Sequence, residues 1–306
     1  MRSDYHQPVL LNESVEWLVF NNSGRYIDAT LGGGGHSAAI LKQLDEQGRL
    51  DSFDRDRDAI EEAGARLQGD SRLTLHHRPF ADMGDLFAEK SISGVLMDLG
   101  ISSHQVDDAS RGFSFRRSER VDLRMSQSDE INATEWIRQN GWEAVARALS
   151  KNADLYPVKK LAIFLSSAVE EEGELTMSRL MEIVGSYSKG SHADDLAARV
   201  LQALRMEVND ELGQLERALD AVHSLLVAGG RLVVLSYHSV EDRLVKQKAK
   251  EWMRDCLCAP ELPLCLCGGH QATFRSLLKT PLTPSEEEIK ENPRSRSAKL
   301  RVYERV

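Results

Sequence analysis

The sequence predicts an α/β fold: a mostly parallel sheet flanked by helices and interrupted by a helical insertion. Three observations carry that expectation. Short apolar runs alternate with helix-type segments at both ends of the chain. Four consecutive glycines stand at the joint between the first such run and the helix after it. Between the two halves, from about Asp107 to about Ala198, the periodicity is helical and no convincing strand occurs.

Taken in order, Arg25–Leu31 reads as a buried strand and Ser37–Leu44 as the helix that follows. Residues 48–54, GRLDSFD, form a second strand ending on Asp54, and Asp58–Leu67 is helical. RLTLHHRPF, 72–80, is a third strand, and SGVLMDLGISS, 93–103, a fourth that runs into a polar loop. The expected sheet domain comprises 1–106 and 199–306, with 107–198 as the inserted helical subdomain; its pieces include NATEWIRQNGWEAVARALS and VKKLAIFLSSAVEEE. Past the insertion, LERALDAVHSLLVAGG is an amphipathic helix closed by glycines, and RLVVLSYHS, 231–239, a further strand. A Cys- and Pro-rich loop, a polar run and a short strand, KLRVYERV, end the sequence.

Composition narrows the function classes. The 306 residues are 41% hydrophobic and 28% charged, as in an ordinary globular protein, and no run approaches the length of a membrane span. With no signal-type N-terminus, a cytoplasmic protein is the expectation. A net charge of -9 argues against a broad basic surface, so a nucleic-acid partner would have to meet a local patch.

The glycine joint either packs as a tight turn or lets a ligand lie on the main chain. It follows a strand and opens a helix, which places backbone N–H groups and a helix N-terminus beside the turn. Asp54, one strand later, stands where an acidic residue can bond ribose hydroxyls. The dinucleotide fingerprint fails because Gly32 and Gly34 fit but the third position is Ser37, and no P-loop exists. A nucleoside ligand suits this pattern. MDLGISSHQVDD delivers Asp98 and two serines to the carboxyl end of a strand, and LSYHSVEDRLVK delivers His238, Ser239 and Glu241 to the same edge. A Ser/His/Asp hydrolase is disfavoured by the missing nucleophile elbow.

HQPVLLNESVEWL, YIDATLGGGGHSAAIL, FDRDRDAI, MDLGISSHQVDDASRGFSF, LQALRMEVNDEL, GGRLVVLSYHSVEDRLVK and ENPRSRSAKLR occur in that order. Together they resemble the bacterial 16S rRNA (cytosine-N4)-methyltransferase family, RsmH or MraW, nearly end to end. The resemblance implies a Rossmann-like S-adenosylmethionine (SAM) sheet with an inserted helical subdomain. It also implies N4-methylation of a cytidine in the decoding region of small-subunit rRNA. Carried onto this chain, Gly34, Gly35 and His36 border the methionine part of SAM, Asp54 takes the ribose hydroxyls and Phe80 packs near the adenine. Asp98 and Gln105 complete the pocket. Where the family has D-G-P-L-D-M-R-M-D, this chain reads RRSERVDLRMS, keeping Asp122, Arg124 and Met125.

An exocyclic cytosine amine is a poor nucleophile because its lone pair is delocalised into the ring. Asp98 is the candidate to orient it, with Ser102 and His238 as helpers. The base must leave its stack. Phe113 is a candidate to stack on it, whereas Phe115 is expected in the core. Arg124, Arg294, Arg296 and Lys299 are candidate RNA contacts. Two other readings fit the same elements: a SAM-binding assembly factor of weak activity, and a nicotinamide oxidoreductase on a similar fold. The cysteines read CLCAPELPLCLC, two C-x-C pairs with His270 nearby. Zinc sites usually space ligands C-x₂₋₄-C, so an unmetallated loop is the expectation.

Overall fold

The computed structural model describes residues 8–114, 120–188, 191–256, 258 and 266–306. The strands and helices run α1 (Leu11–Leu18), β1 (Arg25–Asp28), α2 (Gly35–Gln43), β2 (Arg49–Asp54), α3 (Arg57–Arg66), β3 (Leu73–His77) and β4 (Ile92–Asp98). Then come α4 (Ser103–Asp107), α5 (Ala133–Ala153), α6 (Lys159–Glu172), α7 (Met177–Tyr187), α8 (Ser191–Val208) and α9 (Glu211–Leu225). The last are β5 (Leu226–Ser236), α10 (Ser239–Trp252), β6 (Phe274–Ser276), α11 (Glu286–Glu291) and β7 (Lys299–Arg305).

The chain forms two compact units, one of them including Ile101–Leu212 and the other composed of His6–Gly100 with Gly213–Val306. The second unit is a seven-stranded sheet in the order β3-β2-β1-β4-β5-β7-β6. Strands β1 to β5 are mutually parallel, while β7 runs antiparallel to both β5 and β6. Chain order reverses between β1 and β4, and in open α/β sheets ligands bind outside the carboxyl ends of the strands at such a reversal. Strand β4 is buried from Ile92 to Met97, as a central parallel strand covered on both faces must be. One core layer gathers Ile27, Phe53, Val95, Met97, Leu219, Val222 and Val234; the other gathers Val15, Leu18, Ile40, Leu50, Val233 and Leu300.

Three element boundaries differ from the sequence reading. Strand β3 stops at His77, and Pro79, which has no N–H to donate, turns the chain into a 3₁₀ segment at Phe80–Asp85. Strand β4 stops at Asp98, two residues before Gly100 adopts φ 140 against the Tyr237 ring. Residues Leu226–Gly230, read as a helix end, begin β5: Leu226 pairs with Ile92 across a register shift, and Gly229 takes φ 77.

The helical unit has its own core, including Val145, Leu149, Leu161, Leu165, Leu180, Val184, Val200 and Leu204. Its extent exceeds the expected 107–198 at both ends. On one side Gln105 Nε2 donates to the Met125 carbonyl (3.4 Å). On the other, Asn209 Nδ2 donates to the Leu123 carbonyl (2.7 Å) while Asn209 Oδ1 accepts from Met125 N (2.8 Å). Arg205 pairs with Glu211 through two bonds of 2.7 and 2.8 Å. LQALRMEVNDEL is therefore the sequence of a polar clasp that ties the end of α8 to the 121–125 segment. Among the described residues no helix is long and apolar enough to cross a membrane.

Candidate active site at the carboxyl edge of the sheet

In the sheet unit the strand ends are laced together by polar contacts. After β1 the chain passes through Asp28, Thr30 and the glycine run. Asp28 is fully buried; its Oδ2 accepts from Ser37 Oγ (2.6 Å) and its Oδ1 from Thr30 N (3.2 Å). Burial raises the Asp28 pKa. The residue anchors both sides of the turn and was not singled out from the sequence, although it lies in the quoted YIDATLGGGG stretch.

Gly32 and Gly34 adopt φ 47 and φ 72, the left-handed region where a Cβ is strained, so the turn demands glycine there. A Cβ on Gly35 would come within 2.2 Å of Pro8 Cγ, and one on Gly34 within 3.0 Å of Ala63 Cβ. A Cβ on Gly32 would meet no atom within 4 Å. The glycines thus serve two purposes: Gly34 and Gly35 let backbone pack closely, and Gly32 leaves a clear face.

Asp54 ends β2 facing that turn. Its Oδ2 accepts from Gly32 N (2.9 Å) and its Oδ1 from Asp56 N (2.8 Å). Burial lifts its pKa to about 6, with the nearby charges of Asp56 and Asp28 adding to the rise and the two N–H bonds opposing it. Each carboxylate oxygen keeps a further lone pair for another donor.

Asp98 ends β4. Its N–H donates to Thr30 Oγ1 (2.8 Å), its Oδ1 accepts from Tyr237 Oη (2.8 Å), and its Oδ2 lies 3.6 Å from His36 Nδ1. The side chain remains 18% exposed. Burial and the neighbouring carboxylate push the Tyr237 pKa well above 10, so the hydroxyl stays a donor. Burial lowers the pKa of His36, which favours the neutral ring. His36 also bonds the Val9 backbone, and its Nε2 is buried with no partner among the described residues.

Of the residues expected from the sequence, Gly34, Gly35, His36, Asp54, Asp98 and His238 all fall at this edge. Phe80 opens the 3₁₀ segment after β3, partly buried against the core. His238 is half-buried at the N-cap of α10, where Glu241 Oε2 accepts from the backbone N–H of both Tyr237 (3.2 Å) and His238 (3.3 Å). Tyr237, adjacent to it, is the residue that sequence reasoning passed over. Its signal was its place at a strand end, one residue before His238.

Ser102 and Gln105 belong to the helical unit. Ser102 N donates to Gln105 Oε1 and Gln105 N to Ser102 Oγ, both at 3.2 Å. This reciprocal bond caps the short helix α4.

Two expected RNA contacts are corrected. Phe113 is 9% exposed within the helical core, because the Gly112 turn (φ 73) folds it against the cluster around Val121 and Leu123. Arg124 is held by Asp122 through two bonds of 2.8 Å and donates to the Asp129 carbonyl (2.6 Å), so its guanidinium braces a loop. Phe115 lies outside the described residues. Arg294 and Arg296 are exposed on the 3₁₀ segment Pro293–Ser297, and Lys299 sits 3.9 Å from Asp242.

A strand-end acidic pair, a glycine turn with one clear face and a 3-2-1-4-5-7-6 sheet call for comparison with known proteins. The model of the MraW methylase family matches residues 3–306. The chain belongs to that family. Ribosomal RNA small subunit methyltransferase H of Heliobacterium modesticaldum is 40% identical over 314 residues, covering 99% of both chains. The protein of the same name from Citrifermentans bemidjiense is 39% identical over 313 residues and 100% of both chains. Membership makes this chain a methyltransferase whose methyl donor is SAM. It also sets aside the nicotinamide oxidoreductase reading.

Proposed function

We propose that this chain methylates N4 of a cytidine in the decoding region of 16S rRNA, on an assembled or nearly assembled small subunit in the cytoplasm. The observation that carries the chemistry is the Asp98 carboxylate: fixed at the end of β4, bonded by Tyr237 on one oxygen, 3.6 Å from His36 on the other, and with its side chain 18% exposed. The relatives' name supports the substrate.

The residues at the sheet edge fit SAM. Asp54 offers acceptor positions for the ribose hydroxyls, and the clear face at Gly32 lets a ligand approach the main chain. His36 Nε2 is a buried polar atom in want of a partner, as a site for the polar methionine end requires. Phe80 supplies apolar surface beside the carboxyl end of β3. When bound, SAM supplies an electrophilic methyl group on a sulfonium.

The protein's own part is positioning. Asp98 Oδ2 accepts an N–H of the cytosine amine, which turns the nitrogen lone pair out of conjugation and holds it in line for attack; such alignment supplies several kcal/mol. The same oxygen is placed to take the proton that the amine sheds. Tyr237 keeps Asp98 in one orientation. His238, at the N-cap of α10, is a secondary contact to the base. Arg294, Arg296 and Lys299 are the phosphate contacts; Gln105 contributes by capping α4.

The assembly state follows from charge. Binding naked RNA depends on phosphate neutralisation, and a chain of net charge -9 has little basic surface to spend on it. A preformed ribosomal surface offers shape and unstacked bases instead. The test is to offer free 16S rRNA, 30S subunits and 70S ribosomes, all from a strain lacking the gene, with labelled SAM. Transfer chiefly to 30S subunits is expected. Faster transfer to free 16S rRNA overturns the assembly argument, and no transfer to any of them favours a SAM-binding assembly factor.

A further inference from the structure

The loop joining α10 to β6 contains all four cysteines of the chain. Sequence spacing argued against a metal there; the folded positions argue for one. The Sγ atoms of Cys256, Cys258 and Cys267 all lie within 4.8 Å of one another. Cys256 and Cys267 have their sulfurs 3.7 Å apart. Four sulfurs at about 2.3 Å from a tetrahedral zinc ion stand about 3.8 Å from each other. A disulfide between these two would need about 2.05 Å. The 3.7 Å separation, at which Cys267 Sγ also donates to Cys256 Sγ, is compatible with the spacing of thiolates around an ion.

Two further observations point the same way. Cys258 Sγ accepts backbone N–H groups from Leu266 (3.2 Å) and Cys267 (3.3 Å). Donors of this kind hold a metal-bound sulfur in place and offset its charge. Directly after Cys267 the chain turns through Gly268 and Gly269 at φ 79 and φ 70. Gln271 closes that turn, its side-chain amide donating to the carbonyls of Cys267 (3.3 Å) and Gly269 (3.0 Å), while its N–H donates to the Asp255 carbonyl (3.1 Å).

The described part of the loop has little apolar packing of its own. None of its described residues between Arg254 and Thr273 belongs to the buried apolar core, and Leu266 is 77% exposed. A segment without a core of its own is commonly stapled by a disulfide or a metal.

We propose that Cys256, Cys258 and Cys267 bind one zinc ion as thiolates, with one further donor completing the tetrahedron, and that the ion staples this loop. Cys265, the remaining cysteine of the motif, lies outside the described residues. Binding breaks one S–H bond per ligating cysteine, forms one Zn–S bond in its place and releases the proton to solvent; no oxidant or reductant is involved.

The test uses the full chain, purified under reducing conditions without chelator. Elemental analysis after dialysis is expected to give about one zinc per chain. Cys258→Ser should lose most of that zinc, and cobalt(II) in its place should show thiolate charge-transfer bands that the variant lacks. If Cys258→Ser does not fold, the wild type suffices: mercurial titration of the thiols should release zinc in step, and chelation should speed proteolysis between residues 254 and 273. Less than about a tenth of an equivalent of zinc, both as purified and after reconstitution, overturns the proposal. So does an intact mass showing disulfides among these cysteines.

Discussion

If Asp54 bonds the ribose hydroxyls as an ionised carboxylate, SAM affinity must follow its titration. Its pKa stands at about 6 in the free protein, raised by burial. About a tenth of the molecules carry the charge one unit below that value, so affinity at about pH 5 should be roughly tenfold weaker than at about pH 8. Asp54→Ala removes two charge-assisted bonds worth about 1.5–3 kcal/mol each, which weakens binding by about two to four orders of magnitude. The variant's remaining affinity should be flat over the range in which the wild type bends. His36 and Asp28 also have shifted pKa values, and both persist in Asp54→Ala, so a pH dependence that they alone cause should remain in the variant. The sign for stability is set by the same shift. A carboxyl whose folded pKa lies above its unfolded value favours the folded state at low pH, and that contribution is lost as pH rises from about 4 through about 6. The whole effect is about 3 kcal/mol, so the ligand-free sheet unit carries a burden at neutral pH that SAM's hydroxyls relieve. Calorimetric titration at both pH values, on both proteins, is the assay. A wild-type affinity unchanged between them, or a pH break retained in Asp54→Ala, refutes the assignment.

Asp98→Asn keeps the shape and removes the charge; single-turnover methylation of 30S subunits should slow by about 10²–10⁴-fold with subunit binding little changed. Equal rates would remove Asp98 from the chemical step. Tyr237→Phe, which deletes one hydrogen bond to Asp98, should slow the same step by about tenfold and leave SAM affinity intact, as titration calorimetry would report. Gly35→Ala places a Cβ against Pro8 and should cost about 1–3 kcal/mol in denaturant unfolding. Gly185→Ala, inside α7 with no atom within 4 Å of its Cβ, should instead stabilise by about 0.5–1 kcal/mol. A larger cost at Gly185 than at Gly35 would contradict the packing account.

The parts of the site visible in the sequence were those that depend on neighbours in the chain. Asp54 and Asp98 could be found because each ends an apolar run, and the glycine turn because it joins a strand to a helix. Strand order was beyond reach, since β1 pairs with both β2 and β4 and only the fold brings β7 between β5 and β6. Tyr237 was missed for the same reason: its importance arises from β5 lying next to β4. Phe113 and Arg124 were misassigned because an aromatic that stacks on a base and one that fills a core look alike in a sequence. A phosphate-binding arginine and a loop brace look alike too. The cysteine loop went the other way: two C-x-C pairs fit poorly as a linear motif, yet three of the sulfurs lie within 4.8 Å of one another.

The pairing of β4 with β5 has a consequence for how the chain is made. During synthesis β1 to β4 leave the ribosome first, and β4 then waits while the whole of 101–212 is translated. For that interval the apolar run Ile92–Met97 has one open hydrogen-bonding edge, the kind of surface that recruits foreign strands. The helical unit, by contrast, is continuous from Ile101 to Leu212 and can settle as soon as it emerges. The nascent chain therefore passes through a state with a finished helical body and a half-built sheet. Chaperone demand should peak there, and a circular permutation that opens the chain between Gly100 and Ile101, so that the helical unit is made first and the sheet strands follow without interruption, should raise the soluble yield.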